Sequence, residues 1–212
     1  MDLRDRRLAF AMLLASCVVF GLVLADVLYA GAGTRFDARL ETALAAAWPI
    51  DARVGVGAAL SFPGDVFAVV AVTGGVAVWS WSARRRGDAA LLVAATLVLS
   101  GVVASAKHVV ARDRPLEGFD TLAFPSGHAA RAVLVYGLAL SLAHVVRGPD
   151  RARAVGFVTA FALVALVTGA GRVVRGAHWA TDVVAGWAIG GAMLAVALLM
   201  RPVFARLDTR RT

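Results

Sequence analysis

Three short clusters in the second half of the chain hold residue types that suit an anionic group in transfer. The first is Lys107 followed, after six residues, by Arg114-Pro115. Lys107 is the only lysine in a chain that otherwise takes its positive charge from arginine. An ammonium is a compact point charge and a guanidinium a planar fork, so the choice has chemical content, although a lysine snorkelling from a helix end accounts for it equally well when taken alone. The second cluster is Phe124-Pro125-Ser126-Gly127-His128, where an apolar run begins. A proline, a hydroxyl and a glycine at a helix N-terminus leave backbone N–H groups free for an anion, and His128 would face it. An ordinary capped helix start has the same appearance. The third cluster is Arg172, His178 and Asp182. His178 and Asp182 are four residues apart, so on a helix they share one face. A carboxylate on one ring nitrogen leaves the other free to attack or to take a proton.

A zinc site built from His128, His178 and Asp182 would place the ion among Lys107, Arg114 and Arg172, and like charges would repel. The same cations suit a phosphate, because phosphoryl transfer needs stabilisation of charge spread over the equatorial oxygens. No metal and no cofactor is expected.

The elements that position these clusters are apolar helices. The 212 residues are 60% hydrophobic and 17% charged, and the mean hydropathy of +0.77 is far from that of a soluble domain. A net charge of +8 would suit a nucleic-acid binder if it were gathered on a water-facing surface. Here the arginines fall between long apolar runs, where a bilayer protein keeps them, so no nucleic-acid partner is expected. A spanning helix needs about 20 apolar residues, and six stretches qualify: roughly 8–30, 64–82, 88–110, 126–146, 153–171 and 178–200. The expected fold is therefore all-α, a six-transmembrane-helix bundle forming one membrane-embedded domain over 1–212. Residues from about 36 to 60 are interrupted by Pro49 and several charges; with Leu40, Leu44, Ala47 and Trp48 on one side, they read as an interfacial helix. The basic start, Arg4, Arg6 and Arg7, resembles a signal peptide, but the apolar run from Leu8 to about Ala25 exceeds a usual signal core and reads as an uncleaved helix. Cys17, the only cysteine, allows no internal disulfide.

Short loops rich in arginine stay in the cytosol. Arg4, Arg6 and Arg7, Arg84 to Arg86, Arg147, Arg151 and Arg153, and Arg201, Arg206, Arg210 and Arg211 fall on one side of the six-helix arrangement. Both termini are thus expected in the cytoplasm of a plasma-membrane protein, with the three clusters at the outward ends of the third to sixth helices. His108 and His144 receive no role, and nothing in the sequence sets an oligomeric state.

Lys107 with Arg114-Pro115, then Pro125-Ser126-Gly127-His128, then Arg172, His178 and Asp182, match in order and spacing the three-part signature of the type-2 phosphatidic acid phosphatase superfamily, which this chain resembles over residues 107–182. The resemblance implies that Lys107, Arg114 and Arg172 hold the phosphoryl oxygens with Ser126 and the Gly127 amide. It implies that His178 attacks phosphorus, Asp182 orients it, and His128 protonates the leaving oxygen and then activates water. The implied activity is metal-independent hydrolysis of a lipid phosphate or diphosphate, such as a prenyl diphosphate or phosphatidate, through a phosphohistidine. Phosphotransfer to a hydroxyl at the same site is the rival reading, and a non-catalytic lipid-binding or transport protein is a third.

Two positions depart from the signature. Gly171 stands where the family usually has serine, removing a hydroxyl that would contact phosphate, a hydrogen bond to a charged group worth about 1.5–3 kcal/mol. Arg175 stands in a short turn where similar proteins often carry an apolar or aromatic residue, and it is expected to meet a second phosphate, which would favour diphosphate lipids.

Overall fold

The structure is a computed structural model that describes residues 3–116, 118, 121–147 and 151–209. Among them there are helices and no strands. In chain order they are α1 (Leu3–Leu28), α2 (Ala32–Ala47), α3 (Ile50–Ser61), a 3₁₀ turn (Phe62–Gly64), α4 (Val66–Ser82), α5 (Arg86–Val110), α6 (Gly127–Arg131), a π turn (Ala132–Tyr136), α7 (Gly137–Arg147), α8 (Arg151–Val174), α9 (Ala180–Phe204) and α10 (Arg206–Thr209). Five stretches are long and apolar enough to cross a bilayer: Leu3–Leu28, Ile50–Ser82, Arg86–Val110, Ala154–Val174 and Ala180–Asp208. The shorter apolar helix Gly127–Ala143 makes the sixth, so the six expected runs are present, most ends moved by a few residues, the second beginning 14 residues earlier and the last ending eight later.

Apolar faces explain the packing. Leu92, Ala95, Leu99 and Val103 of α5 recur at helical spacing and meet Ala130, Leu134, Leu138 and Leu142 of the α6–α7 helix and Ile189, Leu194 and Ala197 of α9 in one buried cluster. Leu8, Phe10, Leu14, Val18 and Leu22 of α1 are instead exposed, the outward apolar surface of a helix facing lipid.

Apolar surface is no driving force between helices inside a bilayer, so close approach through small residues replaces it. A Cβ at Gly186 would lie 2.5 Å from the Ser126 carbonyl oxygen, one at Gly190 2.5 Å from that of Ala130, and one at Gly191 2.7 Å from Ser16 Oγ. These glycines bring α6 and α1 onto the backbone of α9, and with α6 comes His128.

Residues expected to form one interfacial helix form two. Asp37, Leu40, Glu41 and Leu44 make the inward face of α2, while Trp48 is 42% exposed. The second helix, α3, runs instead along the end of α8 and extends the second apolar stretch. Arg53, 1% exposed, holds it there: its Nε donates to the Val174 carbonyl at 3.0 Å and its two terminal nitrogens to Glu41 at 2.8 and 2.7 Å. Asp26 ties the α1–α2 corner by accepting from the amides of Gly33 (3.0 Å) and Thr34 (2.8 Å).

The same packing explains Gly171. Its Cβ would lie 2.6 Å from Ser61 N and 2.8 Å from Gly57 O, on the backbone of α3. The position faces a helix crossing, and no hydroxyl fits there.

Arg85, Asp88 and Arg201 gather with Asp5 and Asp208 at the end of the bundle opposite Lys107 and Asp182. Arg210 and Arg211, expected with them, lie outside the described residues.

Restoring serine at 171 should therefore hurt. Gly171→Ser, and likewise Gly190→Ala, each force a backbone apart and should cost about 1–3 kcal/mol of stability, read as a lower thermal unfolding midpoint in detergent. Gly171→Ser should also fail to strengthen binding of inorganic phosphate.

Candidate active site

Lys107 sits in the last turn of α5 and donates to the carbonyls of Leu122 and Ala123. The loop after α5 is thereby folded back over the helix end. Arg114, in that loop, donates to Thr121 and to the Ala177 carbonyl. Leu116 N donates to Gly176 O at 3.1 Å, so this loop and the turn between α8 and α9 are stitched together.

Arg172, in the last turn of α8, shapes that turn with its carbonyl, which accepts from Ala177 N at 3.1 Å and His178 N at 3.2 Å. Its side chain belongs to a residue only 4% exposed, and Nε is buried without a hydrogen-bond partner among the described residues. A buried cationic donor left unmatched is costly, and an anion is the ligand that matches it.

His178 is 2% exposed. Nδ1 lies 3.6 Å from Asp182 Oδ2 and Nε2 lies 3.5 Å from Arg114 Nη1. The ring therefore turns one nitrogen to the carboxylate and the other to the cations, but His178 precedes α9, so the turn before the helix, and not the shared helix face expected from the four-residue spacing, brings it to Asp182. Burial first, and then Arg172, Arg114 and Lys107, push its pKa well below the ordinary imidazole value. Burial also lowers the pKa of Arg114; Asp182 opposes the shift and Arg175 adds to it.

Asp182 is fully buried in the first turn of α9. Oδ2 accepts from Trp179 N at 2.8 Å, closing the helix start, and Oδ1 accepts from Arg112 Nη1 at 2.7 Å. Ser126 caps α6 by accepting from Ala129 N at 3.5 Å, and its own amide donates to the Asp182 carbonyl at 2.9 Å. Ser126 thus joins the two helix starts, a structural duty beside the phosphate contact expected of it and of Gly127.

His128 lies on α6 within electrostatic reach of Arg172 and His178. Nδ1 is 3.4 Å from Arg131 Nη2. A guanidinium only donates, so Nδ1 accepts and the ring proton is assigned to Nε2, which lies 3.8 Å from Asp65 Oδ2. Arg131 is held by Gly64, whose carbonyl accepts from Nε at 3.1 Å. His108 is exposed on α5.

All eight expected residues stand at one end of the bundle. Sequence reading missed three that touch them, Arg131, Asp65 and Arg112, and a fourth, Asp37, that reaches Asp182 through Arg112. Arg131 is three residues after His128 and hence on its helix face, a signal that was there to use. Asp65, already legible as a helix-end acid, reaches His128 from α4. Arg112 is an arginine inside the Lys107–Arg114 interval, and Asp37 comes from a helix remote in sequence; no spacing rule relates these two to Asp182.

Comparison with curated protein sequences gave no match. The structure is similar to the crystal structure of the first transmembrane PAP2 type phosphatidylglycerolphosphate phosphatase from Bacillus subtilis, with a TM-score of 0.76 and 18% identity over 94% of this chain and 98% of that one. At that identity the likeness concerns the fold. A sequence model described as the PAP2 superfamily matches residues 88–206, a span that contains all eight expected residues and more than half of the chain. The chain belongs to the PAP2 superfamily.

Proposed function

We propose that this membrane phosphatase hydrolyses a lipid phosphate or diphosphate through a phosphohistidine on His178. The observation that carries the proposal is the orientation of that ring, Nδ1 toward Asp182 and Nε2 toward Arg114. The phosphoryl oxygens bind between Lys107, Arg114 and Arg172, assisted by Ser126 and the Gly127 amide. His178 Nε2 attacks phosphorus, a P–N bond forms, and the bond to the leaving oxygen on the lipid side breaks as His128, in its imidazolium form once the anion is bound, gives that oxygen a proton. Positive charge appears on the His178 ring in this step, and Asp182 stabilises it. His128 then takes a proton from water, whose oxygen attacks phosphorus and breaks the P–N bond. Inorganic phosphate leaves with both histidines restored.

The arginine-rich end opposite the site supports a cytoplasmic placement for that end, with Trp79 and Trp81 under the Arg85 and Arg86 guanidiniums as an interfacial anchor. The site then faces outward at headgroup level. Phosphotransfer to a hydroxyl is the second half-reaction with another acceptor, and Asp65 beside His128 is the observation in its favour, since a carboxylate suits an incoming hydroxyl.

The test is phosphate release by purified protein in detergent with EDTA present, on a panel holding undecaprenyl diphosphate and phosphatidate. Wild type should act on at least one of them, and His178→Ala should lose roughly 10³-fold or more. Release that needs a divalent cation, or that survives His178→Ala, would overturn the mechanism.

Arg175 favours a diphosphate, because it is half-buried beside Arg114 and brings a further cation to the phosphate end. Arg175→Ala should lower kcat/KM on the diphosphate about 10-fold more than on the monophosphate; equal losses on both would remove the preference.

A further inference from the structure

The catalytic machinery described so far lies within residues 88–206, yet the carboxylate that serves His178 is not held by that region alone. Arg112 reaches Asp182 from the side away from His178. Its Nη1 donates to Asp182 Oδ1 at 2.7 Å and to Thr181 Oγ1 at 2.7 Å, its Nη2 to Asp37 Oδ2 at 3.0 Å, and the guanidinium stacks 5.4 Å above the Trp179 ring. Asp37 is 2% exposed and comes from α2. It also accepts from Thr181 N at 3.1 Å and from the Thr181 hydroxyl.

The charge balance makes Asp37 more than an anchor. Asp182 bound to Arg112 alone would be a neutral pair, with little left to stabilise an imidazolium set among Lys107, Arg114 and Arg172. Asp37 shares the same guanidinium. Two carboxylates on one cation leave a net negative charge beside His178 Nδ1, and among the described residues the only other ionic group in contact with the trio is His178 itself. At these distances, and this deep, such a charge is weakly screened. Its effect is largest when the ring becomes positive, as the P–N bond forms.

We infer that Arg112 and Asp37 are positioning residues of the reaction: Arg112 fixes the plane of Asp182 so that Oδ2 faces His178, and Asp37, from a helix outside the region that the family model matches, offsets the charge of Arg112 so that Asp182 acts as a full carboxylate in phosphoenzyme formation. The inference rests on the proposed histidine mechanism.

The two can fail separately. With phosphatidate and undecaprenyl diphosphate as probes and EDTA present, wild type and His178→Ala test the mechanism; a wild type inactive on both removes the mechanism and this inference with it. Given an active wild type, steady-state kinetics and the acid-quenched phosphoenzyme burst are measured for Asp37→Asn, Arg112→Gln and the double variant. Asp37→Asn should lower kcat and the burst rate roughly 10- to 100-fold, with KM changed by less than about twofold. Imposed on Arg112→Gln, the same substitution should cost less than about threefold, because no guanidinium is left to offset. Asp37→Glu, which keeps the charge, should recover most of the rate and carries the test should Asp37→Asn not fold. An equal loss from Asp37→Asn in both backgrounds, a raised KM with kcat retained, or an Asp37→Glu as slow as Asp37→Asn would reduce Asp37 to an anchor for α2 and overturn the inference.

Discussion

A carboxylate without access to water has to be matched by the protein around it, and Asp182 is fully buried. An isolated charge in that position costs several kcal/mol, so the chain must supply donors in fixed places. Trp179 N supplies one because it starts a helix, and Arg112 supplies another because the loop after α5 turns back toward α9. The remaining direction belongs to His178. Much of the local structure follows from this requirement: the loop over Lys107, the turn after Arg172, and the seating of α2 against the start of α9.

Cations impose the complementary constraint. Lys107, Arg114 and Arg172 repel one another at the mouth of the site, and Arg131 and Arg175 add to the field. Carbonyl oxygens take up part of that charge, those of Leu122, Ala123, Ala177 and Gly64 among them. Among the described residues Arg172 Nε has no such partner. Binding an anion relieves both the repulsion and the unmatched donor, which is how a site made of positive groups can select phosphate.

The helices were legible because a bilayer demands long apolar runs, and the six-run reading agrees with the structure to within a few residues at most ends. The eight expected site residues were legible because a linked signature is specific. What escaped was whatever depends on contacts between distant segments. α3 contains charges and glycine and reads as interrupted, yet Arg53 is satisfied by Glu41 and Val174, and Gly57 lies against Gly171 and Arg175. The absent serine at 171 read as a lost phosphate contact, when the position is shaped by a helix crossing that one-dimensional spacing does not encode. Asp37 and Arg112 meet across 75 residues, and only the fold brings them together.

Helices α5 and α9 are pinned near both of their ends by the same kind of joint. At the site, Arg112, two residues past the end of α5, holds Asp182 of α9; at the far end, Arg201 of α9 holds Asp88 of α5 at 2.9 and 3.3 Å. A 25-residue helix is about 37 Å long, so the two joints sit a membrane thickness apart. Two such joints oppose sliding and splaying of the pair, and the loop and turn that carry Arg112 and His178 are anchored at one of them.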